Sequence, residues 1–154
     1  MREIYKLCKS CFPDYYAREK AFNHFIVTAS PKLFAEYDYN NDKPVAFAMT
    51  CGNAVSLLCT APEHRKKGIG SKLLAKAESH IKENGAKTIV LGEGKSKLLQ
   101  GAPEETSEFF VKRGYKADWT SVNMKLDLES FDESVLDKSF DDVAFRFSTT
   151  CEKA

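Results

Sequence analysis

"PEHRKKGIGSKLLAKAESHI", Pro62 to Ile81, decides how the rest of the chain is read. It gathers Arg65, Lys66 and Lys67, bares the backbone at Gly68 and Gly70, and then settles into an apolar repeat. Ile69, Leu73, Leu74, Ala77 and Ile81 fall on one helical face, with Lys72, Ser79, Lys82 and Glu83 on the other. The preceding run "AVSLLCT" (Ala54–Thr60) reads as a strand. Strand, glycine-rich turn and helix together present free backbone N–H groups to an anion, and the helix dipole strengthens the attraction. Gly68 and Gly70 lack the Cβ atoms that would hold a phosphate away, the three cations add mobile charge, and Ser71 offers a hydroxyl. Such a seat suits a pyrophosphate. The stretch has neither the P-loop pattern nor a dinucleotide-binding glycine pattern followed by an acidic residue. By itself, the cluster also reads as a solvated basic face at a helix start.

Outward from this segment the pattern is that of one mixed domain. Residues 2–12 place Ile4, Leu7, Cys8 and Cys11 at helical spacing until Pro13 ends the run, and a second helix fits Arg18 to Ile26. "LFAEYDY" (Leu33–Tyr39), "VAFAMTC" (Val45–Cys51) and Ala54–Thr60 read as three successive antiparallel strands joined by turn residues. Gly85 stops the long helix, and "TIVL" (Thr88–Leu91) is a short apolar strand of the kind covered on both faces. The segment 92–103 has no firm pattern, and "EETSEFFVKR" then forms a helix, acidic at its start and basic at its end, closed by Gly114. "YKAD" and "SVNMKLDL" alternate as the last strands of the domain.

Composition bounds the function. A chain of 154 residues holds one core, and 43% hydrophobic with 29% charged residues is the balance of a soluble globular protein. A formal charge of +1 argues against broad attraction to nucleic acid or an anionic membrane, so any basic site is local. No apolar run approaches the roughly 20 residues of a membrane span, and "MREIYKLCKSCF" lacks a secretory signal's apolar stretch. Cys8, Cys11, Cys51, Cys59 and Cys151 are odd in number and lack framework spacing, which points to a reducing cytoplasm. Cys8 and Cys11 form a CxxC without the strand-to-helix placement or second ligand pair that redox or metal chemistry needs; they read as two cysteines on one side of a helix. No metal site is expected.

"LLCTAPEHRKKGIGSKLL" (Leu57–Leu74) resembles motif A of the GNAT superfamily of N-acetyltransferases, whose acetyl-CoA loop reads Q/R-x-x-G-x-G/A. Here that loop is Arg65-Lys66-Lys67-Gly68-Ile69-Gly70, and "FFVKRGY" resembles the family's motif B, an aromatic followed four residues later by Gly-aromatic. The resemblance covers about Leu33 to Leu128. It implies an α/β (α+β) fold with a mixed, mostly antiparallel central sheet flanked by helices and splayed between its fourth and fifth strands. It also implies acetyl-CoA as co-substrate and a primary amine of a small molecule or peptide as acceptor, attacking the thioester directly. Leu58, Cys59 and Thr60 map to the strand that supplies backbone groups to the pantetheine and acetyl carbonyl, with the Leu58 N–H as the expected oxyanion donor. Arg65, Lys66, Lys67, Gly68, Ile69, Gly70 and Ser71 map to the pyrophosphate loop, and Phe110 of the second motif also maps to the cofactor.

Two positions depart from the pattern. Many members place Tyr where this chain has Phe110, four residues before Gly114, and Phe cannot protonate a leaving thiolate. An Asn often found seven residues earlier is Pro103. Either water or another side chain protonates the thiolate, or the domain binds acetyl-CoA without efficient turnover. Glu93, just past the Thr88–Leu91 strand, is the candidate general base; it also reads as a solvated loop glutamate. Tyr115 reads as packing, and Cys59 as a buried strand cysteine without a His/Asp partner pattern. Acceptor choice falls to the Cys8–Phe25 helices and the 92–103 loop.

The resemblance also frames the two ends. The usual opening strand is not seen before the first helix, so residues 1–128 read as the domain and 129–154 as an extension whose "VAFRF" (Val143–Phe147) fits that vacant edge. Contributed within one chain it completes the sheet; exchanged between chains it makes a homodimer; the rival expectation is a chain shortened from a tandem two-domain relative, ending just inside a second copy.

Overall fold

The computed structural model describes residues 1–13, 18–40, 42–92, 102 and 104–117. Met1–Lys116 form a compact unit. Helices α1 (Arg2–Cys11) and α2 (Glu19–Ala29) lead into strands β1 (Lys32–Tyr37), β2 (Pro44–Cys51) and β3 (Ala54–Thr60). A 3-10 turn (Pro62–His64), helix α3 (Ile69–Glu83), strand β4 (Val90–Leu91) and helix α4 (Glu104–Val111) follow. The sheet runs in the order β1-β2-β3-β4, antiparallel between the first three and parallel between β3 and β4.

The sheet is apolar on both faces because β2 is buried along almost its whole length. Phe47 and Met49 meet Leu57, Cys59 and the Ile4, Leu7 and Cys8 side of α1 with Phe22 and Phe25 of α2. Ala46 and Ala48 point the other way, with Val55, toward Leu73, Leu74, Ala77 and Ile81 of α3 and Phe110 of α4. The small alanines on that face let α3 approach the sheet closely, as the strand alternation requires. The apolar stripe of α3 is thus a core face, except that Ile69, in the first turn, is only half-buried.

Helix α3 ends as its sequence dictates. Gly85 takes φ 83°, its N–H donates to the Lys82 carbonyl at 2.9 Å, and the Ala86 N–H reaches back to Ile81 at 3.3 Å. Helix α4 repeats the device with Gly114 at φ 87°, whose N–H donates to Val111, and Tyr115, whose N–H donates to Phe110. Both are Schellman closures.

The expected strand Thr88–Leu91 is shorter: only Val90 and Leu91 pair. Thr88 and Ile89 stay out of the ladder because they lie opposite the Gly52-Asn53 turn, where β3 has not yet begun. Helix α4 likewise stops at Val111, two residues before the end expected from its charges. Tyr115, Lys116 and Ala117 are not in a strand. The expected strand over 121–128, the strand Val143–Phe147, and most of the 92–103 loop, including Glu93, lie outside the described residues.

Candidate functional site

The site grows from the way β3 leaves its neighbour. The β3–β4 ladder holds only Ala54 with Val90 and Val55 with Leu91; the Gly92 N–H then donates to the Val55 carbonyl at 2.9 Å. Past Val55, residues Ser56–Thr60 have no strand partner on that side among the described residues. On the other side β3 stays paired to β2, but its register shifts between Met49 and Thr50. Met49 pairs with Leu57 and Thr50 with Val55, so Ser56 is an extra, bulged residue. Ser56 is 2% exposed, and its Oγ has no hydrogen-bond partner among the described residues.

The ladder geometry tells which backbone groups face the opening. The Ala61 N–H donates to the Val45 carbonyl at 2.9 Å, which makes that pair a hydrogen-bonded one. Antiparallel pairs alternate, so Ala46↔Thr60 and Ala48↔Leu58 are the non-bonded pairs of the ladder. The N–H and C=O of Leu58 and Thr60 therefore point away from β2, toward the edge that β4 leaves. Cys59 lies between them with its side chain in the core against α1, 2% exposed.

After this edge comes the basic glycine turn that the sequence singles out. Pro62 opens the 3-10 turn, Arg65 follows it, and Lys66 and Gly68 take φ 59° and 79° before α3 begins. A positive φ is inexpensive at Gly68 and strained at Lys66. Gly68 is the N-cap of α3 and supplies no side chain to it, so the first-turn N–H groups of Ile69, Gly70 and Ser71 have no acceptor within the helix. Arg65, Lys66 and Lys67 are exposed around this end. A Cβ built on Gly70 would meet Thr60 Oγ1 at 3.4 Å and Phe109 Cζ at 3.9 Å, an ordinary contact, so alanine fits there and longer side chains intrude.

Two features of this end were not legible in the sequence. Arg113, just past α4, lays its guanidinium 3.7 Å from the Phe109 ring centroid and donates to Ser71 Oγ at 2.6 Å and to the Phe109 carbonyl. This brings a fourth cation beside the first turn of α3. The Arg65 guanidinium, in turn, does more than add mobile charge: its Nε donates to the Thr60 carbonyl at 3.1 Å and ties the loop to β3. Cys11 Sγ donates to the same oxygen at 3.4 Å. No local pattern signals the Arg113–Ser71 or Cys11–Thr60 link, because those partners are distant in the chain, and the Arg65–Thr60 link depends on how the turn between them folds.

Phe110 is 9% exposed, packed edge-on between Phe109 and Tyr115 in the core. Phe109, half-buried, is the ring nearer Gly70. Tyr115 donates its hydroxyl to Glu78 Oε1 at 2.8 Å; burial first, and then this carboxylate, raise its pKa far above the usual phenol value. His64 is half-buried on the 3-10 turn, and His80 packs edge-on against Phe34. No group of three metal-ligating side chains stands together among the described residues, nor is any helix there long and apolar enough to cross a membrane.

An opened parallel pair, a bulged strand with outward amides and an uncapped helix start meet at one edge of a mixed α/β sheet. Residues 29–117 match the acetyltransferase (GNAT) domain, and the chain belongs to that family. Among solved structures it is similar to a GCN5-related glucosamine N-acetyltransferase region of a fungal multi-domain GH3 β-N-acetylglucosaminidase. That match has a TM-score of 0.69 and 25% identity over 76% of this chain, and spans only 16% of the other. A ribosomal-protein-alanine N-acetyltransferase from Brucella melitensis biovar Abortus 2308 gives 0.57 and 16% identity, covering 81% of this chain and 92% of that one. An aminoglycoside N-acetyltransferase solved with CoA gives 0.56 and 9%, covering 82% and 92%. The last two share the fold. A search of curated proteins finds no match.

Proposed function

We propose that the protein is an acetyl-CoA-dependent N-acetyltransferase acting in the cytoplasm on a primary amine of a small molecule or peptide. The observation that carries this reading is the outward-facing Leu58 N–H on the unpaired edge of β3, which leads into the uncapped start of α3. Family membership favours the same cofactor.

The residues present fit that group. The N–H groups of Ile69, Gly70 and Ser71, with Arg65, Lys66 and Lys67 around them, would hold the pyrophosphate, and the space at Gly70 would be lost to any long side chain. Leu58, Cys59 and Thr60 would supply the strand edge to the pantetheine, with the Leu58 N–H as oxyanion donor. Bound acetyl-CoA supplies an activated acetyl thioester. An acceptor amine must be neutral to attack, so a proton route is needed. Glu93, directly or through water, is the proposed acceptor of that proton.

A second reading, acetyl-CoA binding without efficient turnover, is favoured by Phe110, which has no hydroxyl and is packed in the core. A CoA thiolate is a stable enough leaving group to take its proton from solvent, so we retain the enzyme as the first reading.

Calorimetry with acetyl-CoA tests the seat: Gly70→Ala is expected to bind like wild type and Gly70→Glu to lose binding at least 100-fold, about 2.7 kcal/mol. Equal affinity for both variants would overturn the loop assignment. Thiol release from acetyl-CoA across a panel of small-molecule and peptide amines then separates the two readings, since only the enzyme gives acceptor-dependent release.

A further inference from the structure

Outside the proposed cofactor seat, the densest unassigned chemistry is a group of three thiols where α1 meets β3. Cys8 and Cys59 are each 2% exposed and belong to one core cluster, with Cys11 packed half-buried against it. Cys11 Sγ reaches the Thr60 carbonyl at 3.4 Å, which places its sulfur beside the residue that follows Cys59 in β3. Arg65 Nε donates to the same carbonyl at 3.1 Å, so a guanidinium stands beside the Cys11 sulfur. All three cysteines are free thiols. The CxxC visible in the sequence is therefore incomplete by itself: its partner comes from the strand.

We propose that Cys11 and Cys59 form a reversible thiol-oxidation site, closed to a disulfide by a hydroperoxide. Cys11 is the attacking thiol because it alone of the three is accessible and lies beside a cation. The neighbouring Cys59 first, and then the Arg65 guanidinium, bring the pKa of Cys11 down to about 7, whereas burial pushes that of Cys59 well up. Cys11 thus supplies the thiolate and Cys59 the protonated resolving thiol. The Cys11 sulfur lies against the carbonyl of Thr60, the residue after Cys59, and Cys59 turns its side chain into the core cluster on which Cys11 packs, which selects the strand thiol as partner.

The chemistry balances in two steps. The Cys11 thiolate attacks one peroxide oxygen and the O–O bond breaks, leaving a sulfenic acid and hydroxide (or alkoxide). The Cys59 sulfur then displaces the sulfenic oxygen; the S–O bond breaks, an S–S bond forms, and the thiol proton leaves in water. Two electrons pass from the thiols to the peroxide, and an external dithiol reverses the change. The bridge removes the Cys11 thiol's hydrogen bond to the Thr60 carbonyl, so the oxidation state acts at the corner where Arg65 ties the basic loop to β3.

The test uses the whole wild-type chain with stoichiometric hydrogen peroxide, followed by alkylation of the remaining thiols and peptide mapping. The expected product has lost two hydrogens and contains a linked peptide pair holding Cys11 and Cys59, restored by dithiothreitol. In Cys59→Ser, Cys11 is expected to stop at a sulfenic acid that dimedone captures. A bridge that omits Cys11 or Cys59, or a Cys11 no more reactive than the half-buried Cys51 in the same molecules, overturns the proposal. The wild-type map needs no variant to fold, and its readout is independent of acetyl-CoA binding.

Discussion

At the scale of single residues, backbone geometry accounts for motif features that look like chemistry. Gly114 sits at the closing position of a Schellman motif, Tyr115 one residue beyond, and Phe110 at the third position from the helix end. The spacing of an aromatic, three residues, Gly and an aromatic is what that closure needs, because its hydrophobic contact joins those two rings, here 5.6 Å apart. Phe110 can thus meet the packing demand without the hydroxyl that many relatives carry. Gly114 has φ 87° with nothing within 4 Å of a built Cβ, so replacing it costs torsional strain alone. Gly114→Ala is expected to destabilise the fold by about 1 kcal/mol. Urea denaturation with an unchanged slope and a lowered midpoint is the check; an unmoved midpoint refutes the closure.

At the scale of elements, charge and pairing decide how helices meet the sheet. Glu36 of β1 accepts from Lys72 at 3.1 Å and Lys76 at 2.9 Å, both from α3. Lys76 first, then Lys72, hold its carboxyl below the ordinary 4.5. The pairs are partly exposed, so their worth is small: Glu36→Gln is expected to cost about 0.5 kcal/mol at neutral pH. A lowered carboxylate pKa gives stability that is complete above 4.5 and is lost as pH falls through the lower folded value. The difference between wild type and Glu36→Gln should therefore shrink in acid and in high salt. Thermal melts at several pH values decide it, and a difference that persisted at pH 2–3 would count against the bridge. None of this was legible beforehand, because Glu36 and the lysines it joins lie far apart in the chain.

At the scale of the whole molecule, the sheet separates two cores, one under α1 and α2 and the other under α3 and α4. Leu74, 1% exposed, belongs to the second. Leu74→Ala is expected to lose about 3 kcal/mol through lost transfer and a residual cavity. If chemical denaturation gives a loss below about 1 kcal/mol, the site can collapse and the packing described here is wrong. The sequence by itself determined the order of elements as far as α4, the limits of β3, the basic turn and the apolar face of α3. Those depend on periodicity and turn chemistry within a few residues. Tertiary structure alone decided that β4 pairs for two residues before leaving β3, and that Ser56 bulges. It alone brought Arg113 to Ser71 and gathered Cys8, Cys11 and Cys59 at one core cluster. These features arise from register between strands and from contacts across the sheet, and neither leaves a local pattern in the chain.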